Sequence, residues 1–397
     1  MYGLPSLPSG WKLVPLEEVL ADGTRNGVYK LKSFHGRGVK IVNMGELFAH
    51  PRLGSVDMRR IEVTVSELSR FELKTGDLLF ARRSLVAEGA GKCSIVLRVD
   101  EPTVFESSII RARLSNEADP LFFYYFFGSR FGAAALDSIR RQVAVAGITG
   151  ADLRGLRVPI PPTRVQREIA AVLGALDDKI DLNRRMNEAL FATVVADIEE
   201  GGRAMFGDIA DNVREIANPG DIQAETVYIA LEHMPRRSIT LAEWSGANSV
   251  ASAKSRFQRG DILFGKLRPY FHKVGIAPGD GVCSTDILVL RPKHRELHAL
   301  TLGIASSDAF VAHADATSTG TKMPRASWKD LARFEMAMPS SEALDRVNET
   351  ARPLLARIAA NIGESRTLAA LRDALLPKLI SGELRIRGAE RTVAQSE

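Results

Sequence analysis

Gly76-Asp77-Leu78-Leu79-Phe80 returns 184 residues later as Gly260-Asp261-Ile262-Leu263-Phe264. This internal repeat constrains the fold more than any other feature of the chain. Ile41-Val42-Asn43-Met44 has a counterpart in Tyr228-Ile229-Ala230-Leu231, at an offset of 187. The run from Asp152 to Pro161 matches the run from Asp330 to Pro339 at an offset of 178. Offsets that drift by a few residues are what two copies of one fold with unequal loops would show. A period near 180 is far too long for a solenoid and implies two domain-sized units.

The strand signals in both units are short and alternate with turns. They are Lys40–Met44, Gly76–Arg83, Lys92–Val99 and Ser107–Leu114 in the first unit, and Thr226–Leu231, Gly260–Gly265 and Thr285–Pro292 in the second. Gly-Asp before an apolar run reads as a turn feeding a strand. Helical patches intervene at Pro120–Ile139 and His298–Ala316. Each unit therefore reads as α+β, with a mostly antiparallel sheet or small barrel.

Each unit ends at proline, Pro159 and Pro161-Pro162 in the first and Pro339 in the second. Proline stops a strand and can start a helix. In the second copy the apolar seam runs Leu344, Val347, Ala351, Leu354, Ile358, Asn361, Ser365, Leu368, with alternating spacings of three and four. That is a heptad pattern. Subtracting 178 gives Gln166, Ile169, Leu173, Leu176, Ile180, Asn183, Asn187 and Leu190. Two matching seams predict that helix Thr163–Glu199 packs on helix Ser341–Ile380, antiparallel. Asn183 and Asn361 fall at equivalent points, where a polar residue either fixes register or lies solvated at the seam's edge. A helix of 37 residues spans about 55 Å. That exceeds one turn of DNA, about 34 Å, so the pair reads as a spacer. The expected division is a first domain at 1–162, a central helix at 163–203, a second domain at 204–339, a C-terminal helix at 340–385 and a disordered tail at 386–397.

The chain carries 53 basic and 48 acidic residues, a net charge of +5, with a pI near 9.2. This is a weak pointer to a polyanionic partner. Two cysteines, Cys93 and Cys283, are too few for a disulfide framework. The N-terminus lacks the pattern of a signal peptide. The longest strongly apolar block, Leu121–Phe127, is too short for a membrane span, which needs about 20 residues. A cytoplasmic location is the expectation.

With these residues in place, the chain resembles the specificity (S) subunits of type I restriction-modification systems. Three features carry the resemblance. One is the duplicated Gly-Asp strand followed by a basic residue, Arg82 or Lys266. Another is Leu156-Arg157-Val158-Pro159-Ile160-Pro161-Pro162 leading to Gln166-Arg167-Glu168-Ile169. The third is Leu176-Asp177-Asp178-Lys179-Ile180-Asp181, loosely repeated as Leu354-Leu355-Ala356-Arg357-Ile358-Ala359. The resemblance spans Trp11 to about Leu384. It implies two similar α/β target recognition domains, each reading half of a split DNA site, separated by two long helices packed as an antiparallel coiled coil. It implies a non-catalytic subunit whose helices dock two methyltransferase (M) subunits and, through them, restriction (R) subunits. S-adenosylmethionine, ATP and Mg²⁺ would belong to those partners. The second copy departs from the pattern where Ser341-Glu342-Ala343-Leu344 replaces Gln-Arg-Glu-Ile, which puts equal docking by the two helices in question. A methylation-only or phage-defence relative fits the same residues. So does a protein-interaction scaffold that binds no DNA.

No catalytic constellation appears. Gly89-Ala90-Gly91-Lys92 resembles the end of a phosphate loop, but Val86 and Cys93 stand where glycine and Ser/Thr are needed. The pair Asp177-Asp178 lies on a helix flank and is expected to be solvated or to face a partner, not to bind metal. The seven histidines show no HExxH spacing, and no metal site is expected. DNA contact requires Lys and Arg for phosphates, and Arg, Lys, Asn or Gln for bases. The candidates flank the Gly-Asp strands. They are Arg37, Lys40, Arg82, Arg83 and Lys92 in the first domain. In the second they are Lys254, Arg256, Lys266, Arg268, Tyr270, His272, Lys273, Lys322 and Arg325. Arg82 and Lys266 match across the copies.

Overall fold

The computed structural model describes residues 7–84, 89–141, 146–196 and 201–386. Val86, residues 197–200 of the expected central helix and nearly all of the expected tail lie outside the described residues. The chain divides into two compact units, residues 1–177 with 371–397, and residues 178–370.

In the first unit a five-stranded sheet has strand Leu78–Ala81 at its centre, between Ile109–Leu114 and Cys93–Val96. Both central pairings are antiparallel. A smaller sheet joins His35–Val42 to Thr103–Phe105 in parallel. The second unit repeats this. Ile262–Gly265 lies antiparallel to Ile287–Pro292 and to Val274–Ile276. Val227–Ile229 runs parallel to Gly281–Cys283. The sheets are mostly antiparallel, as the sequence pattern indicates, with one matching short parallel pair in each copy and a second, Arg52–Leu53 with Cys93–Val96, in the first.

The repeated Gly-Asp has a physical reason. Gly76 and Gly260 sit at φ +89° and +88°, in the left-handed region that a side chain disfavours. The following aspartate is buried, 1% exposed at Asp77 and 3% at Asp261. Its carboxylate accepts the backbone N–H three residues back, from Lys74 or Gln258, at 2.7 Å. The same carboxylate takes a two-pronged guanidinium from the neighbouring strand, Arg113 in one copy and Arg291 in the other. All four of those bonds are 2.7 Å. Charge-assisted, bidentate pairing of this kind is the strong form of hydrogen bond. It ties the turn to the adjacent strand and sets where the apolar run begins.

Each sheet is covered by a helical hairpin. Helix Pro120–Gly128 has proline in its first turn and Asp119 as cap, with the carboxylate accepting from Leu121 and Phe122 N–H. Ser129 caps the next helix, Arg130–Ile139, and Ser307 caps its counterpart, Asp308–Ala316. The apolar block Leu121–Phe127 is thus a buried helix. Phe80 meets Phe127 edge-on at 5.0 Å, whereas the matching Phe264 meets Phe310 at 5.6 Å. The same packing role is filled from the first hairpin helix in one copy and the second in the other.

The long helices run Thr163–Ala196 and Ser341–Ile380. Gly202 and Arg203, within the expected helical range, instead begin a strand paired with Glu335–Met338. In the second unit the helix segments pack antiparallel. Asn183 Nδ2 donates to Glu364 at 2.7 Å and to Ser365 Oγ at 3.3 Å, and Asn361 Nδ2 donates to Asn187 Oδ1 at 2.8 Å. Adding 178 to 183 and 187 gives 361 and 365, so the two polar contacts exchange as by a local two-fold. Asn183 and Asn361 are 0% and 1% exposed, so neither is a solvated edge residue. Along the seam Ile169, Leu173, Leu176, Val347 and Ile358 are buried. Ile180, Leu190, Leu354 and Leu368 are partly exposed.

Helix Ser341–Ile380 also buries a second face. Ile362 joins Phe206, Phe264 and Phe310 in the core of the second unit, and the Arg366 guanidinium lies 3.4 Å from the Trp244 ring centroid. In the first unit Asp177 departs from expectation. It is 6% exposed and accepts hydrogen bonds from Tyr125 Oη and Arg372 Nη1, each at 2.7 Å. A carboxylate between a phenol and a guanidinium holds the helix to its unit; burial of the Tyr125 hydroxyl, and then the Asp177 charge beside it, push the tyrosine pKa upward. No described helix is long and apolar enough to cross a membrane.

Two predictions follow from these contacts. Asp77→Ala leaves Arg113 without its carboxylate and destabilises the first unit by about 3 kcal/mol. Hydrogen exchange should show lost protection in Leu78–Ala81 and unchanged protection in Ile262–Gly265. Asn361→Ala strands the buried Asn187 amide at a cost of about 1–3 kcal/mol, read as a lower denaturation midpoint. An unchanged midpoint would place the seam asparagines outside the stabilising set.

Candidate nucleic-acid interface

The backbone of the residue after each Gly-Asp strand is held in the same way in both copies. Arg82 N–H donates to Ser108 O at 2.8 Å, and Arg82 O accepts from Ile148 N–H at 3.0 Å. Lys266 N–H donates to Asp286 O and Lys266 O accepts from Ala326 N–H, both at 2.9 Å. The next position pairs Arg83 with Gly147 in one copy and Leu267 with Arg325 in the other. A mutual backbone pair then follows in each copy, Arg141 with Gly147 and Thr319 with Arg325. A capped helix comes next in each case, with Thr149 or Ser327 as cap. The match between Arg82 and Lys266 is therefore structural as well as sequential. Both main chains are locked and only the side chains are left to act. The Arg82 guanidinium leans on Ser107 O at 3.3 Å.

In the second unit this junction gathers several of the expected residues. Arg268 sits at φ +52°. Its N–H donates to Pro324 O at 2.7 Å and its Nη2 to Lys322 O at 3.3 Å. The loop bearing exposed Lys322 is thereby fastened to the turn Pro269–Phe271. Tyr270 is 51% exposed and packs on Phe271 with ring centroids 4.8 Å apart. Arg236, outside the candidates that flank the Gly-Asp strands, stacks its guanidinium 4.0 Å from the Phe271 centroid. The adjacent pair Arg236-Arg237 was the available signal. Lys266, Arg268, Tyr270, Lys322 and Arg236 thus form a basic and aromatic surface. Arg325 belongs to the same loop, but its guanidinium is paired with Asp286 at 2.9 Å, which raises its pKa.

Burial removes other candidates. Lys254 is 7% exposed, with its ammonium on Ser252 Oγ and backbone carbonyls. His272 is 7% exposed, with Nε2 at 2.8 Å from Ser306 O. The Lys273 ammonium is held by Leu231 O. Desolvation, and then the nearby Arg236 charge, lower the Lys273 pKa. Lys254 and His272 are thus buried in the fold and not presented to solvent as expected, while Lys273 is half-buried with its ammonium tied to a carbonyl. Arg256 lies on strand Lys254–Phe257 and pairs with Glu215 at 3.6 Å.

In the first unit the candidates fall in two groups. Arg83 and Lys92 are exposed beside Arg82, with the Lys92 ammonium 5.2 Å from the Phe48 ring centroid. Arg37 and Lys40 lie on strand His35–Val42. Both are neutralised locally, Arg37 by Glu62 at 2.6 Å and Lys40 by Glu101 at 3.1 Å. Just before them runs an exposed stretch not singled out from sequence, with Tyr29 76% and Phe34 40% exposed and Lys32 between. Its alternation of aromatic and basic residues was legible. Among the described residues no group of three or more His, Cys, Asp or Glu is placed to hold a metal ion. Both cysteines are unpaired thiols, and burial pushes Cys283 up to about 12.

Comparison with known proteins finds similar sequences and a similar fold. Residues 8–191 match the type I restriction modification DNA specificity domain. The chain is 30% identical over 188 residues to the specificity subunit of type I restriction enzyme EcoKI from Escherichia coli, covering 46% of this chain and 39% of that protein. It is 22% identical over 304 residues to the MjaIX specificity subunit from Methanocaldococcus jannaschii, covering 67% of this chain and 69% of that protein. The matched region thus spans well under half of the EcoKI relative. In fold the chain is similar to the S subunit of a type I restriction-modification system from M. genitalium. The TM-score is 0.51 at 13% identity, over 94% of this chain and 96% of that one. Over residues 8–191, just under half of its length, the chain is thus similar to the DNA specificity domain of type I restriction enzyme specificity subunits.

Proposed function

We propose that the chain is the DNA-reading subunit of a type I restriction-modification complex, without catalytic activity of its own. Each copy reads one half of a split site, and the length of the helices sets the number of base pairs between the halves. Two methyltransferase subunits and the restriction subunits supply the chemistry, with S-adenosylmethionine, ATP and Mg²⁺ as their cofactors. The complex acts in the cytoplasm.

The observation that carries this reading is the duplicated junction at Arg82 and Lys266. Two copies of one backbone arrangement, each ending in a basic side chain beside a mutual backbone pair, suit a target read in two parts. Around Lys266 the pattern of Arg, Lys and exposed aromatic side chains fits a phosphate backbone and base edges. A methylome with and without this gene provides the test. One split motif should lose its methylation, and an unchanged methylome sinks the proposal.

Binding to duplex DNA should fall steeply with salt, because each phosphate contact releases counterions. Lys322→Ala should flatten the slope of log affinity against log salt by about one, measured by anisotropy. A slope unchanged from the wild type would remove Lys322 from the interface. Insertion of four residues after Arg184 should lengthen the spacer of the methylated motif and leave both half-sites alone. If the insertion alters the bases read, the division of labour between helix and domain is wrong.

A further inference from the structure

The second unit holds a cleft of about 400 Å³ at the other end of strand Ile262–Gly265 from the basic and aromatic surface. Arg259, Arg291, Arg295 and Arg352 line it, together with His298. Its one lining carboxylate, Asp261, is already engaged by Arg291 through two bonds of 2.7 Å. His298 is also committed, with Nε2 at 2.8 Å from Gly260 O. Arg259, Arg295 and Arg352 are exposed, and no described carboxylate lies within ion-pair distance of their guanidinium groups. They come from three elements, the turn before the strand, the short 3₁₀ turn Arg295–Leu297 and helix Ser341–Ile380. Below them Ala299, Ala351 and Leu355 give an apolar floor.

The first copy shows that the fold does not require this cleft. At the offset of 178, Leu121 stands for Ala299, Gly174 for Arg352 and Glu117 for Arg295. At the Gly-Asp offset of 184, Thr75 stands for Arg259. In the first unit Leu121 packs directly over the glycine, 3.0 Å from where a Cβ of residue 174 would lie. The first copy closes the space with a leucine and has no guanidinium at these positions. The second copy opens it with an alanine and rings it with arginine. The start of the long helix differs in the same sense. Buried Gln166 accepts from Asp119 N–H at 2.8 Å and donates to Pro161 O at 2.9 Å, a clamp that Leu344 cannot make.

We propose that the arginine-ringed cleft of Arg259, Arg295 and Arg352 docks an acidic segment of a partner protein, with at least two carboxylates on the guanidinium groups and an apolar side chain on the alanine and leucine floor. Exposed arginines around an apolar centre have the make-up of a protein interface. A small-molecule site would bury most of its ligand, whereas here the charged groups stand on the rim. The strand alone separates the cleft from Lys266 by roughly 15 Å, so duplex DNA on the basic and aromatic surface leaves it free. The inference rests on the proposed function only in taking the chain as an assembly subunit.

The test is anisotropy of the labelled peptide (Glu-Glu-Leu-Glu)3 with the full chain at low salt. The expected result is one saturable site, weakened about tenfold or more by Arg295→Glu with Arg352→Glu, because charge-assisted bonds are lost and replaced by repulsion. Ala299→Leu with Arg352→Gly gives the cleft the residues of the first copy, whose packing that copy already tolerates. It should weaken the peptide to a similar degree, while Lys322→Ala should not. Absence of peptide binding, variants that bind like the wild type, or displacement of the peptide by duplex DNA or by tripolyphosphate would each overturn the proposal. Labelled duplex titrated into the same proteins separates the two readings. Duplex bound without peptide removes the docking cleft, and peptide bound without duplex removes DNA reading while the cleft stands.

Discussion

Two buried carboxylates, Asp77 and Asp261, carry more of this architecture than any other pair of side chains. Each closes the turn that starts the central strand of its sheet and each grips an arginine on the next strand. Removing a carboxylate from water is costly unless its oxygens are filled. Here every oxygen faces a donor, and that requirement fixes the turn, the strand start and the strand pairing together. Lys266 and Arg82 then stand just past the far end of a strand whose register is already set, so their equivalence follows from the aspartates.

The helices solve a different problem. Each must bury a seam and also serve as part of a unit's core, and these demands lie on adjacent faces. Asn183, Asn187, Asn361 and Ser365 keep the antiparallel pairing in one register, since a shift of a turn would leave their amides buried without partners. Ile362 and Arg366 face the second unit's own core and the Trp244 ring. A heptad pattern identifies only the first of these faces, which explains why Ile362 falls outside the seam read from sequence while Leu368 falls inside it yet stays partly exposed.

The two copies share a backbone plan and diverge in surface chemistry. The junction at Arg82 and Lys266 is common to both. The loop fastened by Arg268, the stacked Arg236 and the arginine-ringed cleft are features of the second copy, and the Gln166 clamp is a feature of the first. Under the proposed function, two unlike half-sites would give reason to vary the reading surface.

The repeat, the Gly-Asp turns and the helix seam were all legible in the chain itself, because each depends on local backbone preference or on a period of side chains. Which basic residues are available was not. Lys254 and His272 read as surface cations, yet both are buried on carbonyl groups, and Asp177 reads as a solvated flank residue, yet it lies between Tyr125 and Arg372. Arg37 and Lys40 keep their positions but face Glu62 and Glu101 from distant parts of the chain. Burial and ion pairing are set by residues far apart in sequence, so only the tertiary structure could decide them.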